Sequence, residues 1–271
     1  MKKITLIVLM LFTALSYAQD IELNGTVSAQ NNQIKNVANP TEAQDAVTKS
    51  YVDSKTNDIS GTQATQIGLT GVLYDFEGNK YSTIVMCDGK QWSTQYLNVS
   101  YFSNGDPIPE VTGNEAWRDL TSPAWCYSSN QENARGKMYN GFALSDSRDL
   151  APEGWHIATE EEWNNLIECL GGSEVAGGKL KISGTQYWTS PNFGSGPTGK
   201  ASNSSGMSLL PNGVREGANG NFYNQSTVIR IWNYSSVNGL IPYVSLLNNA
   251  ANIFKGLTDP YDGAHILLVK D

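Results

Sequence analysis

Residues 150–172 read LAPEGWHIATEEEWNNLIECLGG, and this stretch decides the fold class. Thr159 and Glu162 have the spacing of a capping box, in which each side chain bonds the backbone of the other at a helix start. An amphipathic helix then places apolar residues at i, i+3, i+4 and i+7. Here those residues are Trp163, Leu166, Ile167 and Leu170. Gly171 and Gly172 favour a helix end, so the sequence predicts a docked helix over about 160–170.

Short strand-like stretches flank this helix. Asp75–Asn79 predicts a hairpin turn, and Asp88-Gly89 predicts a second turn that leads into Gln91-Trp92. Asn114 is expected to cap a short helix that includes Trp117. Further strands are expected at Gln186–Thr189, Thr227–Trp232, Tyr243–Leu247 and His265–Val269. This order predicts an α+β domain with short strands, two main helices and long loops.

Composition supports a folded, aromatic-rich domain. The 271 residues include 7 Trp, 13 Tyr and 7 Phe, and only 16% of them are charged. Disordered chains are instead highly charged and poor in aromatic residues. The formal net charge of −8 disfavours a protein that binds nucleic acid through its phosphates.

The first 18 residues have the pattern of a secretory signal peptide. Lys2 and Lys3 precede an apolar run over 4–15, and Ser16-Tyr17-Ala18 places small residues at the two cleavage positions. We therefore expect a secreted or cell-surface protein, with the periplasm as an alternative location, and no membrane span after cleavage. A retained anchor is the other interpretation of the apolar run, which is short for a membrane span.

Residues 19–65 differ from the rest of the chain, with no Trp and one Tyr. Thr41 and Gln44 fit a capping box for a helix over about 42–57, but its apolar stripe is too thin to stabilise a lone helix. This stretch resembles a repeat of phage tail fibres and trimeric surface fibres. The resemblance rests on Asn32–Thr41, Gln44–Lys49 and Tyr51–Asp53. It implies a short strand–helix stalk that forms a homotrimer; the alternative is an unstructured exported linker.

Residues 66–271 form the main domain, and most of it resembles the Fibrobacter succinogenes major paralogous domain family of exported bacterial proteins. The matching stretches are Asp75, Gly78–Tyr81, Gln91-Trp92, Asn104–Pro109, Gly136–Asn140, Leu150–His156, Glu162-Trp163, Gly177–Leu180, Asn203, Ser205-Gly206 and Leu210–Arg215. The resemblance implies a C-type-lectin-like fold and no defined activity. The family usually ends on a serine-valine-arginine-cysteine-valine run, whereas this chain has His265–Val269. Because that cysteine is absent, the family's disulfide to Cys126 is in doubt.

The chain contains three cysteines, Cys87, Cys126 and Cys169. An odd number in an exported protein leaves one thiol unpaired or bonded to a partner chain. The sequence does not decide which two of them pair. No CxxC motif and only two histidines are present, so a structural zinc site is not expected.

No catalytic or metal-binding constellation is evident. His156 and His265 are the available bases for a triad, but each is better explained by hydrogen bonds that order the local chain. Glu160–Glu162 lie in the first helical turn, where negative charge is favoured by the helix dipole. C-type lectins hold calcium with a tryptophan-asparagine-aspartate run, and here Tyr234 replaces the acid after Trp232-Asn233. We therefore expect no catalytic residues, no metal and no cofactor.

The C-terminal stretch is the best candidate for a binding surface. Its candidate ligand-binding residues are Trp232, Asn233, Tyr234, Tyr243, Asn248 and Asn252. Aromatic area combined with amide hydrogen bonding is typical of recognition surfaces, and related lectin-like folds place their variable ligand surface in the matching part of the chain. The alternative is ordinary loop and strand residues with Trp232 buried. We expect a non-enzymatic ligand-binding or adhesin-like protein that binds a surface protein or glycan; the alternatives are an exported glycan-active enzyme and a structural envelope protein.

Overall fold

The computed structural model describes residues 67–130, 136–235 and 238–271. Its strands, in chain order, are β1 (Thr70–Tyr74), β2 (Lys80–Val85), β3 (Gln91–Ser93), β4 (Trp125–Tyr127), β5 (Lys137–Asn140), β6 (Trp155–Ile157), β7 (Val214–Arg215), β8 (Phe222–Tyr223), β9 (Val228–Trp232), β10 (Ile241–Leu247), β11 (Ile253–Thr258), β12 (Gly263–Ala264) and β13 (Leu268–Lys270). Its helices are α1 (Asn114–Arg118), α2 (Gly141–Leu144), α3 (Glu160–Cys169) and α4 (Ser173–Leu180), with a short 3₁₀ turn at Ser128–Asn130. Mixed short strands and few helices agree with the predicted α+β class. The predicted signal peptide and stalk lie outside the described residues.

The strands form three antiparallel sheets. The first has the order β1-β2-β3-β13-β6, the second β4-β5-β12-β7-β8, and the third β11-β10-β9. Strand β13 therefore pairs with β3, so a strand late in the sequence lies in the same sheet as β1, β2 and β3. Single bridges join the sheets, such as the parallel bridge between Ile231 and His265.

The predicted hairpin between β1 and β2 is confirmed. The Asp75 carboxylate accepts hydrogen bonds from the backbone N–H groups of Glu77 and Asn79, both at 2.9 Å. It also accepts the Tyr81 hydroxyl at 2.6 Å. These donors use the acceptor capacity of Asp75, so the carboxylate holds the turn in place.

Helix α3 is the helix predicted from residues 150–172. Thr159 and Glu162 form both halves of the capping box. At the other end, Gly171 N donates to Glu168 O and Gly172 N donates to Ile167 O, both at 2.9 Å. Both glycines have positive φ, 100° and 94°, which is the geometry of a Schellman motif. The apolar face is buried as predicted, with 0% exposure at Trp163 and Leu166.

Several local predictions differ from the structure. Asn114 is the first residue of α1 rather than its cap, because Gly113 takes the cap position and the Asn114 side chain bonds Asn221 instead. Gln186–Thr189 forms no strand; Trp188 anchors it as a loop through a hydrogen bond from Nε1 to Leu209 O at 3.0 Å.

Several regular elements were not predicted from the sequence, among them helix α4 and strand β11. Helix α4 has a Gly-Gly pair in its interior, which lowers helix propensity. In the fold, Gly177 and Gly178 let other backbone segments approach the helix closely. A Cβ on Gly177 would lie 2.3 Å from Asn252 O.

Two large apolar clusters form the core. The larger one packs α3 and α4 against the third sheet and includes Trp92, Trp163 and Trp188. The second surrounds Tyr139 and Trp232. Five of the seven tryptophans are fully buried, which explains how a chain with short elements builds a core.

The cysteines are now assigned. Cys87 and Cys169 form a disulfide with a Cα–Cα distance of 5.8 Å, and it joins the β2–β3 turn to the end of α3. Cys126 is a buried free thiol. Burial raises its pKa to about 11, so the thiol stays protonated at neutral pH.

No helix within the described residues is both long enough and apolar enough to cross a membrane.

Candidate functional site

The six candidate residues of the C-terminal stretch do not form one surface. Trp232 ends β9 and has 0% exposure. Its Nε1 donates to Tyr139 O at 2.8 Å inside the second cluster. The Trp232 ring is therefore part of the core and cannot contact a ligand on the surface.

Asn248 and Asn252 hold the turn between β10 and β11. Asn248 Nδ2 donates to Thr189 O at 3.1 Å and to Ser190 O at 3.2 Å. Asn252 Nδ2 donates to Glu174 Oε2 at 2.6 Å on helix α4. Both amides thus dock the turn onto neighbouring backbone and helix.

Asn233 and Tyr243 lie at the opposite end of the third sheet. Tyr243 and Asn248 are five positions apart along the strand direction, which at the usual rise is about 16 Å. Here a cleft of about 280 Å³ opens between the start of α3 and the sheet. We call it the Asn233 cleft. It is lined by Glu160, Asn233, Pro242, Tyr243, Lys255, Gly256 and Leu257.

Asn233 gives the cleft its most unusual group. The residue is 1% exposed, and its backbone N donates to Pro242 O at 3.0 Å. Its side-chain Oδ1 is buried and has no hydrogen-bond partner within the described part of the chain. Leaving a buried acceptor unsatisfied costs about 1–3 kcal/mol. Oδ1 can accept a hydrogen bond from a ligand, and so lose this cost, only when the atoms that cover it move aside.

Opposite charges line the cleft. Glu160 is the first residue of α3 and is exposed to solvent. Lys255 lies on β11, and its Nζ donates to Asn164 Oδ1 at 2.6 Å on the same helix. Pro242 and Leu257 supply apolar surface between them. The cleft therefore combines a carboxylate, an ammonium group, a buried amide and an apolar wall.

Tyr243 is fixed by its neighbours. The Arg230 guanidinium lies 4.4 Å from the centre of its ring, and Asp262 pairs with Arg230. A Cβ on Gly256 would lie 2.6 Å from the Tyr243 ring. Because residue 256 is glycine, the ring can lie flat across β11.

Tyr234 lies in a neighbouring depression. It is 55% exposed, and its backbone N donates to Ala158 O at 2.9 Å. The depression has a volume of about 260 Å³ and is lined by Leu144, Ser145, Tyr234 and Ser235. The structure thus brings Asn233, Tyr234 and Tyr243 to one end of the sheet and separates them from Asn248 and Asn252.

Both histidines are engaged in structural contacts, as the sequence predicted. His156 Nε2 lies 2.8 Å from Glu162 Oε1, and its Nδ1 lies 2.6 Å from Asp271 Oδ1. His265 is fully buried, with Nδ1 3.0 Å from Lys137 O.

The glutamates at the start of α3 do not form one acidic site. Burial acts to raise the pKa of Glu162, but hydrogen bonds from Thr159 and His156 outweigh it, so the pKa is lowered. Glu162 is therefore an ionised structural cap, whereas Glu160 lines the Asn233 cleft. Across the described ranges, no group of three or more His, Cys, Asp or Glu could hold a metal ion.

Comparison with known families places the whole cleft inside a recognised domain. The model of the Fibrobacter succinogenes major domain matches residues 85–262. The chain belongs to this family. Searches of curated proteins and of solved structures return no significant match. In this member of the Fibrobacter succinogenes major domain family, the match omits β1, all of β2 except Val85, and also β12 and β13, although β13 pairs with β3 inside the fold.

One motif that carries the family resemblance is structural in this protein. Arg215, from the proline-asparagine-glycine-valine-arginine stretch, has 0% exposure, and its guanidinium donates to Val111 O, Thr112 O and Gly220 O at 2.6–2.9 Å. It also lies 4.3 Å from the Trp117 ring centre. These contacts join the loop before α1 to β7. Arg215 therefore stabilises the fold and is not a candidate for ligand binding.

Sequence reasoning missed part of the Asn233 cleft. Lys255 and Leu257 lie on β11, which the sequence does not predict, and the sequence favours a helix-dipole role for Glu160. The available signal was the Asn-rich stretch 248–252 between two β-prone runs, which is a hairpin pattern.

Proposed function

We propose that this member of the Fibrobacter succinogenes major domain family is an exported, non-enzymatic, ligand-binding or adhesin-like protein. Its ligand, a surface protein or glycan, would bind in the Asn233 cleft. The observation that carries the proposal is the buried, unpartnered Oδ1 of Asn233 in a cleft with charged and apolar walls.

We call the main domain, residues 66–271, the head and propose that it has a C-type-lectin-like fold. The family membership and the arrangement of short strands, short helices and long loops support this assignment. The proposed export rests on the signal-like residues 1–18, and the proposed homotrimeric stalk rests on the fibre-like residues 19–65.

The lining of the cleft defines the chemistry of the ligand. Asn233 Oδ1 and the Glu160 carboxylate accept hydrogen bonds, so the ligand must donate them, as hydroxyl or amide groups do. Lys255 can donate to an acceptor on the ligand, while Pro242 and Leu257 contact its apolar face. Ligand sites commonly combine a few fixed polar groups with apolar walls in this way.

A binding role is favoured over a glycan-active enzyme because glycoside hydrolysis typically uses a pair of carboxylates, whereas Glu160 is the one acidic residue among the described residues that line the Asn233 cleft. The histidine contacts also argue against a histidine base in the cleft. His156 lies between two carboxylates and His265 is buried, so neither faces the Asn233 cleft as a base. Turnover of a substrate that depends on His156 would move the protein into the enzyme class.

The test is a glycan array and a surface-protein screen with and without EDTA, followed by Asn233→Leu on any ligand found. Leucine has a similar volume but no acceptor. We expect binding to be lost and the melting temperature to stay the same or rise, because an unsatisfied buried polar group is removed. EDTA should change little, since Tyr234 stands where C-type lectins carry the calcium-binding acid.

Asn248→Leu is the matched control. Its amide holds two backbone carbonyls at the far end of the sheet, so this change should lower the melting temperature and leave binding intact. The proposal is refuted if Asn233→Leu binds normally, or if only Asn248→Leu loses binding while still folded.

A further inference from the structure

The outer side of β1 is an exposed apolar edge. Strand β1 ends the first sheet, and no strand of the described residues pairs with its outer side. Large apolar side chains along and beside it are 43% to 61% exposed: Ile67, Leu69, Val72, Tyr74 and Phe76.

The register of the pairing between β1 and β2 shows which backbone groups of β1 point away from β2. Val85 N donates to Leu69 O at 2.9 Å, and Asp75 N donates to Asn79 O at 3.1 Å. Hydrogen bonding alternates along an antiparallel pair, so the odd-numbered residues from 69 to 75 face β2. The backbone N–H and C=O groups that point away from the sheet belong to Thr70, Val72 and Tyr74.

This edge lacks the usual protection against pairing. Natural edge strands carry charged side chains, prolines or bulges that prevent a second strand from adding. Residues 67–74 contain no charge and no proline. In a chain with a net charge of −8, this neutral segment is where two copies can approach without like-charge repulsion.

We propose that β1 is an interaction surface for a second copy of this chain, which pairs antiparallel to it across a two-fold axis at Val72. In this register Val72 lies opposite Val72 of the second copy, and Thr70 lies opposite its Tyr74. Each open N–H then meets an open C=O, so the edge is complementary to itself. This interface would be separate from the Asn233 cleft, because no residue of β1 lines that cleft.

The exposed area agrees with a pair of this kind. Five large side chains at roughly half exposure leave about 500 Å² on each chain, so a symmetric pair can bury at most about 1,000 Å², which reaches the lower limit for a specific interface. The two-fold contact is also independent of any three-fold association through residues 19–65, because the two symmetries differ.

The test is the mass of the full exported chain by sedimentation at micromolar concentration, for the wild type and for Val72→Lys. The two introduced lysines would lie directly opposite each other, with their Cα atoms about 5.5 Å apart across the axis. Their like charges would then repel. We expect the mass of the assembly to fall by half. Phe193→Lys, at a residue of similar exposure (44%) elsewhere, should leave the mass unchanged.

A charge-swapped mixture tests the register. Val72→Lys and Val72→Glu should each fail to pair alone, whereas an equimolar mixture should regain the paired mass. A wild-type mass equal to that of Val72→Lys overturns the proposal, including the case in which another segment of the same chain covers the edge. A mixture that stays unpaired overturns the two-fold register. Neither result bears on ligand binding in the Asn233 cleft, which Asn233→Leu tests separately.

Discussion

Loss of the Cys87–Cys169 disulfide should destabilise the domain strongly. The bond spans 82 residues of sequence. In the chain-entropy treatment, closing a loop of this length raises the free energy of unfolding by about 4.5 kcal/mol at 25 °C. With an m-value of about 3 kcal/mol per molar urea, the unfolding midpoint should fall by about 1.5 M. Since whole domains are stable by only about 5–15 kcal/mol, this is a large share of the total.

The assay is urea unfolding of the oxidised protein, the reduced protein and the Cys87→Ala/Cys169→Ala variant. Reductant should shift the wild type and leave the double variant unchanged, while Cys126→Ala should still respond to reductant. Thiol titration supplies a second check, with no reactive thiol in the native oxidised protein and one after unfolding, because Cys126 is buried. Equal midpoints with and without reductant, or three reactive thiols before reduction, would refute the reasoning.

Three further predictions concern other parts of the domain. Leu166→Ala should cost about 2–5 kcal/mol, because the side chain is fully buried on α3; an unchanged melting curve would show that the helix is not docked. Burial lowers the pKa of Lys181 to about 8 from 10.5, so between these pH values the unfolded chain holds a proton that the folded chain lacks. Unfolding free energy should therefore rise with pH by up to about 3 kcal/mol across that window, and Lys181→Met should abolish the rise in pH-dependent urea titrations. Tyr234→Ala or Tyr243→Ala should weaken ligand binding without unfolding the head, whereas His156→Ala should lower the melting temperature more than it weakens binding; the reverse pattern would contradict the site assignment.

Helix α3 could be predicted because its signals are local. The capping box, the apolar spacing and the terminal glycines all lie within 14 residues, from Thr159 to Gly172, and each acts through the backbone of the helix itself. The hairpin at Asp75 was predictable for the same reason, since its carboxylate bonds residues two and four positions later.

The disulfide and the position of Trp232 could not be predicted in this way. Cys87 reaches Cys169 only after the β2–β3 turn packs on the end of α3, which depends on contacts between distant segments. Trp232 has the composition of a recognition residue, but its direction is set by the register of β9 with β10 and by the bridge from Ile231 to His265. Composition alone does not fix which side of a strand faces the core.

The candidate site illustrates how this fold can hold an unsatisfied group. Asn233 lies directly after β9, and its backbone N donates to Pro242 O. Because the residue is 1% exposed, close packing around the side chain limits its rotation toward another partner. The surroundings are equally fixed, since Arg230 stacks on Tyr243 and Lys255 bonds α3. A ligand that enters the cleft therefore meets Tyr243 and Lys255 already in position, which lowers the entropy lost on binding. The local cost at Asn233, about 1–3 kcal/mol, is smaller than the contribution expected from the disulfide alone, about 4.5 kcal/mol, so the domain can keep this acceptor open and remain folded.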